Sequence, residues 1–212
     1  MKKLFGIMVF IVFATVAVAQ TPQEIISRME AEMEKHEKDG VSMIVDVKIP
    51  ILGTMTTHTY TLGDKMCFKV SMLGTEVISW VDGDTEWTYN SKDNEIEIRK
   101  SEGTGEEGDM SMFIGITDGY DVSIDKETTQ AWYLLCKKSK SNPDKDAPKK
   151  IDLVVAKRTY FPISLKTKVS NMTMTMRDIS FGVTEKQVTF DAKDYPGTII
   201  KTTKSQILRQ VF

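Results

Sequence analysis

Apolar residues recur at every second position along most of this chain, which is the period of half-buried strands. Val41, Met43, Val45, Val47 and Ile49 fall on one side of a run whose other side carries Asp46 and Lys48. Met55 to Leu62 reads as a Thr-rich strand, and Lys65 to Met72 sets Met66, Phe68, Val70 and Met72 against Lys65, Lys69 and Ser71. From Val77 to Arg99 the pattern predicts a meander. Val77 to Val81 turns at Asp82-Gly83-Asp84 into Thr85 to Tyr89, and the polar run Asn90 to Asn94 leads to Glu95 to Arg99. Asp-Gly between two β-rich runs is a strong hairpin signal, because Gly accepts the positive φ such turns require. Further strands are predicted at Tyr120 to Ile124, Trp132 to Lys137, Ile151 to Lys157, Ile163 to Val169, Met172 to Phe181 and Val188 to Phe190. The tail from Thr198 holds enough apolar residues for another strand or a docking segment. The tally is about eleven antiparallel strands, so the class is mainly β.

A period of 3.6 appears clearly once. Thr21 is suited to cap a helix that has Pro22 at its first position and Glu24 in its first turn. Ile25, Met29 and Met33 form its apolar stripe, and Gly40 stops it. A second, shorter helix is predicted at Met110 to Ile114, after the Gly- and Glu-rich loop Ser101 to Asp109. That segment reads either as a lid or as a core-packing helix on a long connection.

The first nineteen residues read as a leader and not as part of the fold. Lys2 and Lys3 precede an apolar run from Leu4 to Val18, and Ala17-Val18-Ala19 is a small-x-small cleavage site before Gln20. Residues 20–212 are then expected to form a single secreted domain. Loss of Lys2 and Lys3 takes the formal charge from −2 to −4, which argues against a nucleic-acid partner. Cys67 and Cys136, the two cysteines, can pair in an oxidising compartment or serve as small core hydrophobes. His36 and His58 each sit among polar neighbours, which predicts solvated rings. No motif nominates a nucleophile with its base, so no catalytic residue, metal or cofactor is expected, and the protein reads as a non-enzyme.

Thirteen methionines are more informative. Met172, Met174 and Met176 alternate with Thr on one strand face. Flexible thioethers suit an ordinary core, a soft-walled cavity for acyl chains, or a Cu(I) site.

The run ISWVDGDTEWTYNSKDNEIEI resembles the corresponding segment of periplasmic lipoprotein carriers of the LolA/LolB type. Phe190-Asp191-Ala192 with Tyr195-Pro196-Gly197 is similar to that family's closing strand and turn. The resemblance implies an incomplete antiparallel β-barrel with helices covering its concave face and lipoprotein acyl chains held between. It also implies an inner-membrane donor, an outer-membrane acceptor and a monomeric carrier. Where the family has an Arg that helps hold the lid, this chain has Gly63-Asp64-Lys65-Met66, with Lys65 as a rough substitute. Taking the more apolar face of each strand as inward assigns Val45, Phe68, Val70, Trp80, Trp87 and Met174 to the cavity, and Met112 and Phe113 to the lid. The alternative function is a lipid- or peptide-binding module that senses or stores without delivering.

Overall fold

A computed structural model describes residues 20–72, 74–101 and 113–202. Helix α1 (Pro22–Lys35) is followed by β1 (Val41–Ile49), β2 (Gly53–Leu62), β3 (Lys65–Met72), β4 (Thr75–Asp82), β5 (Thr85–Asn90) and β6 (Glu95–Lys100). Then come β7 (Tyr120–Glu127), β8 (Ala131–Lys138), β9 (Lys150–Ala156), β10 (Pro162–Val169) and β11 (Met172–Phe181). The short helix α2 (Glu185–Val188) and β12 (Ile199–Thr202) complete the order. All twelve strands join one sheet, ordered β12-β6-β5-β4-β3-β2-β1-β11-β10-β9-β8-β7. With β12 and β7 as its edges the sheet is open, which is the incomplete barrel expected.

Two features at the C-terminal end differ from expectation. Val188 to Phe190 is not a strand: Thr184 and Gln187 form a capping box that starts α2, and Val188 is buried. β12 does form, but it pairs with β6 in parallel.

Register divides the sheet into two faces, because directly opposed residues point the same way. One row runs Ile124–Leu134–Leu153–Leu165–Met176–Val45–Thr57–Val70–Val77 across nine strands. Helix α1 lies on this face. Thr21 caps it reciprocally with Glu24, and Ile25, Ile26, Met29 and Met33 are buried with Val41, Met43, Trp132, Leu134, Leu153 and Leu165. Beyond α1, Gly40 is held at φ 68°, where an added Cβ would meet the Thr61 carbonyl at 2.5 Å. A bulge at Asp178 (φ 54°) keeps β11 in phase: Ser42 pairs Ser180 while Ile44 pairs Arg177. The extra residue flips parity, so Met176 below the bulge and Phe181 above it both pack on the α1 cluster.

The opposite face carries Tyr60, Cys67, Ile78, Trp80, Trp87 and Tyr89. Phe190 and Tyr195, from the segment after α2, close over them. Cys67 and Cys136 therefore sit on different faces, free and buried, with thiols pushed up to about 11 by burial. Both are core hydrophobes. His36 is not simply solvated: its ring stacks on Phe181 (centroids 4.9 Å) and meets the edge of Phe161 (5.1 Å) where α1 ends against the sheet. His58 is exposed, as expected.

Candidate functional site

Between the α1 face and the loops at one end of the sheet lies a cavity of 450 Å³. Its floor is Ile151 of β9, Leu165 and Thr167 of β10, and Met174 and Met176 of β11. These side chains meet because β9, β10 and β11 are consecutive in the sheet, and Ile151 pairs Thr167, which pairs Met174. The one hydroxyl of the floor, on Thr167, already donates to the Lys150 carbonyl at 2.9 Å. The floor therefore offers an apolar surface and no waiting hydrogen-bond partner.

The roof is the 139–149 loop, whose hydrogen bonds explain its position. The Tyr120 hydroxyl donates to the Pro148 carbonyl (2.9 Å), and burial raises its pKa. Asn142 Nδ2 donates to the Gly119 carbonyl (3.1 Å), as does Ser139 N (2.9 Å). A Cβ at Gly119 would lie 2.5 Å from Asn142 Nδ2, so Gly there lets the two loops close. Lys138 Nζ donates to the Lys145 and Ala147 carbonyls (2.9 and 3.3 Å), drawing the loop back on itself. Asp118 and Asp144, both exposed, stand at the mouth.

The expected cavity residues divide between the two faces. Met174 lines the cavity. Val45 pairs Met176, and Val70 follows through Thr57, so Val45, Phe68 and Val70 lie half-buried on the same α1 face, away from the cavity itself. Trp80 and Trp87 do not. They pair with each other, and Trp80 with Cys67, on the far face, under Phe190 (5.4 and 5.7 Å) and Tyr195 (5.4 Å from Trp80). Taking the more apolar side as inward fails in β4 and β5 because a segment distant in sequence, Phe190 to Tyr195, covers the aromatic side.

Phe113 is fully buried in the α1 cluster, and Gly115 N donates to Glu30 of α1 at 3.0 Å, so this segment is anchored to the helix. Met112 lies outside the described residues. Lys65 points to the far face, where it pairs with Glu185 (3.0 Å) and Asp82 (3.4 Å) and so tethers α2. Sequence reasoning offered Met176 with Met174 as a soft cavity wall but missed Ile151 and Leu165 as cavity floor. Their alternation was visible, but the roofing loop that makes a cavity of them was not.

A second cavity of 270 Å³ on the far face is lined by Lys69, Trp80, Gln187, Asp191 and Tyr195, and is polar by comparison. Among the described residues, no group of three His, Cys, Asp or Glu side chains is placed to hold a metal ion, and no helix is long and apolar enough to cross a membrane.

No family model and no curated protein sequence matches the chain. Solved structures do resemble it. An uncharacterized conserved protein from Thermus thermophilus is 16% identical over 85% of this chain and 98% of that one, at a TM-score of 0.44. A LolA superfamily protein from Nitrosomonas europaea is 11% identical over 82% and 99%, at 0.32. LprF from Mycobacterium bovis is 10% identical over 78% and 96%, at 0.47.

Proposed function

We propose that this protein is a periplasmic carrier that takes lipoprotein acyl chains into the apolar cavity and passes them toward the outer membrane. The observation that carries this reading is the cavity floor: two thioethers and two branched aliphatics, with its single hydroxyl already bonded. At 450 Å³ the cavity falls within the roughly 300–1,000 Å³ of small-ligand sites. Each buried methylene contributes about 0.8 kcal/mol, so part of one chain suffices for useful affinity. Met174 and Met176 can repack around chains of different shape.

Release needs no nucleotide. The roof is held by Tyr120–Pro148 and Asn142–Gly119 hydrogen bonds, each worth about 0.5–1.5 kcal/mol net. Opening is therefore a modest step that a better acceptor can drive through differential affinity. In this reading the leader is cleaved after Ala19, the mature protein works as a monomer, and a donor in the inner membrane and an acceptor in the outer membrane complete the cycle.

Mass spectrometry of organic extracts from purified mature protein is the test. Acyl lipid should be recovered from the parent and largely lost from Met174→Glu. Parent extracts without any acyl lipid, together with failure of a fluorescent fatty-acid probe to bind, would refute the reading. Bound lipid that never exchanges to acceptor vesicles would mark a storing or sensing module instead. N-terminal sequencing of the secreted form should begin at Gln20, and retention of Met1 would remove the periplasmic address.

A further inference from the structure

Two hairpin tips stand side by side on one rim of the sheet. β1 and β2 are joined through Pro50-Ile51-Leu52, and β10 and β11 through Ser170-Asn171. Lys48 pairs Thr173, which pairs Lys168, so the two turns are neighbours. Their apolar residues face water: Ile51 is 106% exposed, Leu52 74%, Val169 42% and Met172 37%. Ile51 is also held at φ 72°, a conformation that β-branched residues rarely adopt. Strain kept at a residue whose side chain meets no packing surface points to a role outside folding.

Charge says what the rim faces. Lys48, Lys166 and Lys168 are exposed beside the tips, on the face away from α1. Residues 47–57 and 164–176 contain no Asp or Glu. The neighbouring 139–149 loop carries both signs, with Lys140, Lys145 and Lys149 beside Asp144 and Asp146. The nearest acids on that face, Asp152 opposite Lys166 and Asp46 two positions from Lys48, are paired with Lys150 (2.8 Å) and Arg177 (2.7 Å). The exposed Ile and Leu of the tips thus stand beside unneutralised lysines, which matches the charge and polarity of an anionic lipid interface.

We propose that this rim docks on an anionic membrane surface, with Ile51 and Leu52 entering the headgroup boundary and Lys48, Lys166 and Lys168 meeting the phosphates. The proposal deepens the carrier reading and rests on it for its purpose. Met172 at the rim, then Met174 and Met176 in the cavity, follow one another on a single strand face at about 7 Å steps. A docked rim thus sets an apolar track between the bilayer and the cavity.

Sedimentation of the full mature chain with phosphatidylglycerol/phosphatidylcholine vesicles, against phosphatidylcholine alone, tests this. Binding should require the anionic lipid and weaken with salt. Ile51→Ser with Leu52→Ser should weaken it about tenfold or more, and Lys48→Gln and Lys168→Gln about fivefold each. Fatty-acid probe binding should be unchanged in Ile51→Ser/Leu52→Ser, whereas Met174→Glu should lose probe binding and still sediment. Failure of the carrier reading and failure of the rim reading therefore give different results. Parent protein that sediments with neither vesicle, or a tip variant that sediments like the parent, would overturn the proposal. So would a dimer in sedimentation velocity that the tip variant abolishes without any vesicle binding, since that would assign the rim to a second copy.

Discussion

Each face of this sheet carries one apolar patch, and the two patches are built for different ends. The far face of β3 to β5 is aromatic: Trp80, Trp87 and Tyr89 meet Phe190 and Tyr195 at centroid distances of 4.7–5.7 Å. Burial pushes the Tyr195 phenol up to about 12. The α1 face between β9 and β11 is aliphatic and thioether, and it leaves 450 Å³ unfilled. Rigid rings with few rotamers lock a single packing, whereas Met side chains can yield to a guest. The contrast teaches that richness in large aromatics marks the sealed side here, and that softness marks the open one.

Cutting the seal should have the largest effect. Trp80→Ala removes a side chain only 5% exposed that touches both capping rings. A loss of about 3–5 kcal/mol is expected by chemical denaturation, while the fraction that remains folded still binds a fatty-acid probe. Loss of probe binding at unchanged stability would place the guest on the aromatic face and reverse the comparison.

Met174→Glu attacks the other side. A carboxylate in the cavity floor must either be desolvated or protonate at a raised pKa. Probe affinity should fall about a hundredfold, with little change in the aromatic cluster's fluorescence. Val70→Glu sharpens the point. Val70 lies on the same face three strands from β11, so a comparable loss there would extend the guest's path across β1 and β2, and normal binding would confine it to the cavity. Lys69→Glu, on the far face, should leave binding unchanged.

Much of this was legible in the sequence. Strict alternation located β1 to β11, and the Thr21–Glu24 cap located α1, because those signals are local. Taking the more apolar face as the cavity side assigns Met174 inward, but the pairing with Val47 and Thr167 that sets it on the α1 face is not readable from the sequence. What failed needed contacts between distant segments. Nothing near Trp80 announces that Phe190 and Tyr195 will cover it. Parity across β11 depends on a single bulge at Asp178, and β12 pairs with β6 across about a hundred residues. The cavity, too, exists only because the 139–149 loop folds back onto Gly119 and Tyr120.

Tyr120→Phe isolates that roof. It deletes the hydrogen bond to Pro148 and leaves the ring in place. A net cost of about 0.5–1.5 kcal/mol is expected, seen as probe release accelerated about two- to tenfold and equal association. Unchanged release would mean that the loop does not gate the cavity.

The smallest effect concerns the brace between β1, β2 and β11 on the far face. Asp46 accepts from Arg177 Nε at 2.7 Å and from Thr56 Oγ1 at 2.7 Å, and the Arg177 bond, followed by the Thr56 bond, holds its pKa below the ordinary 3.8. Above that ordinary value the carboxylate is ionised in folded and unfolded chains alike, and its contribution to stability is fully present. As pH falls below about 4 the unfolded chain takes up the proton first, and the contribution is lost on the way down to the folded pKa. Asp46→Asn should therefore be less stable than the parent at neutral pH, with the gap closing in acid, while probe binding at neutral pH stays the same. A stability gap of constant size from neutral pH to below pH 4 would show that the brace acts by shape and not by charge.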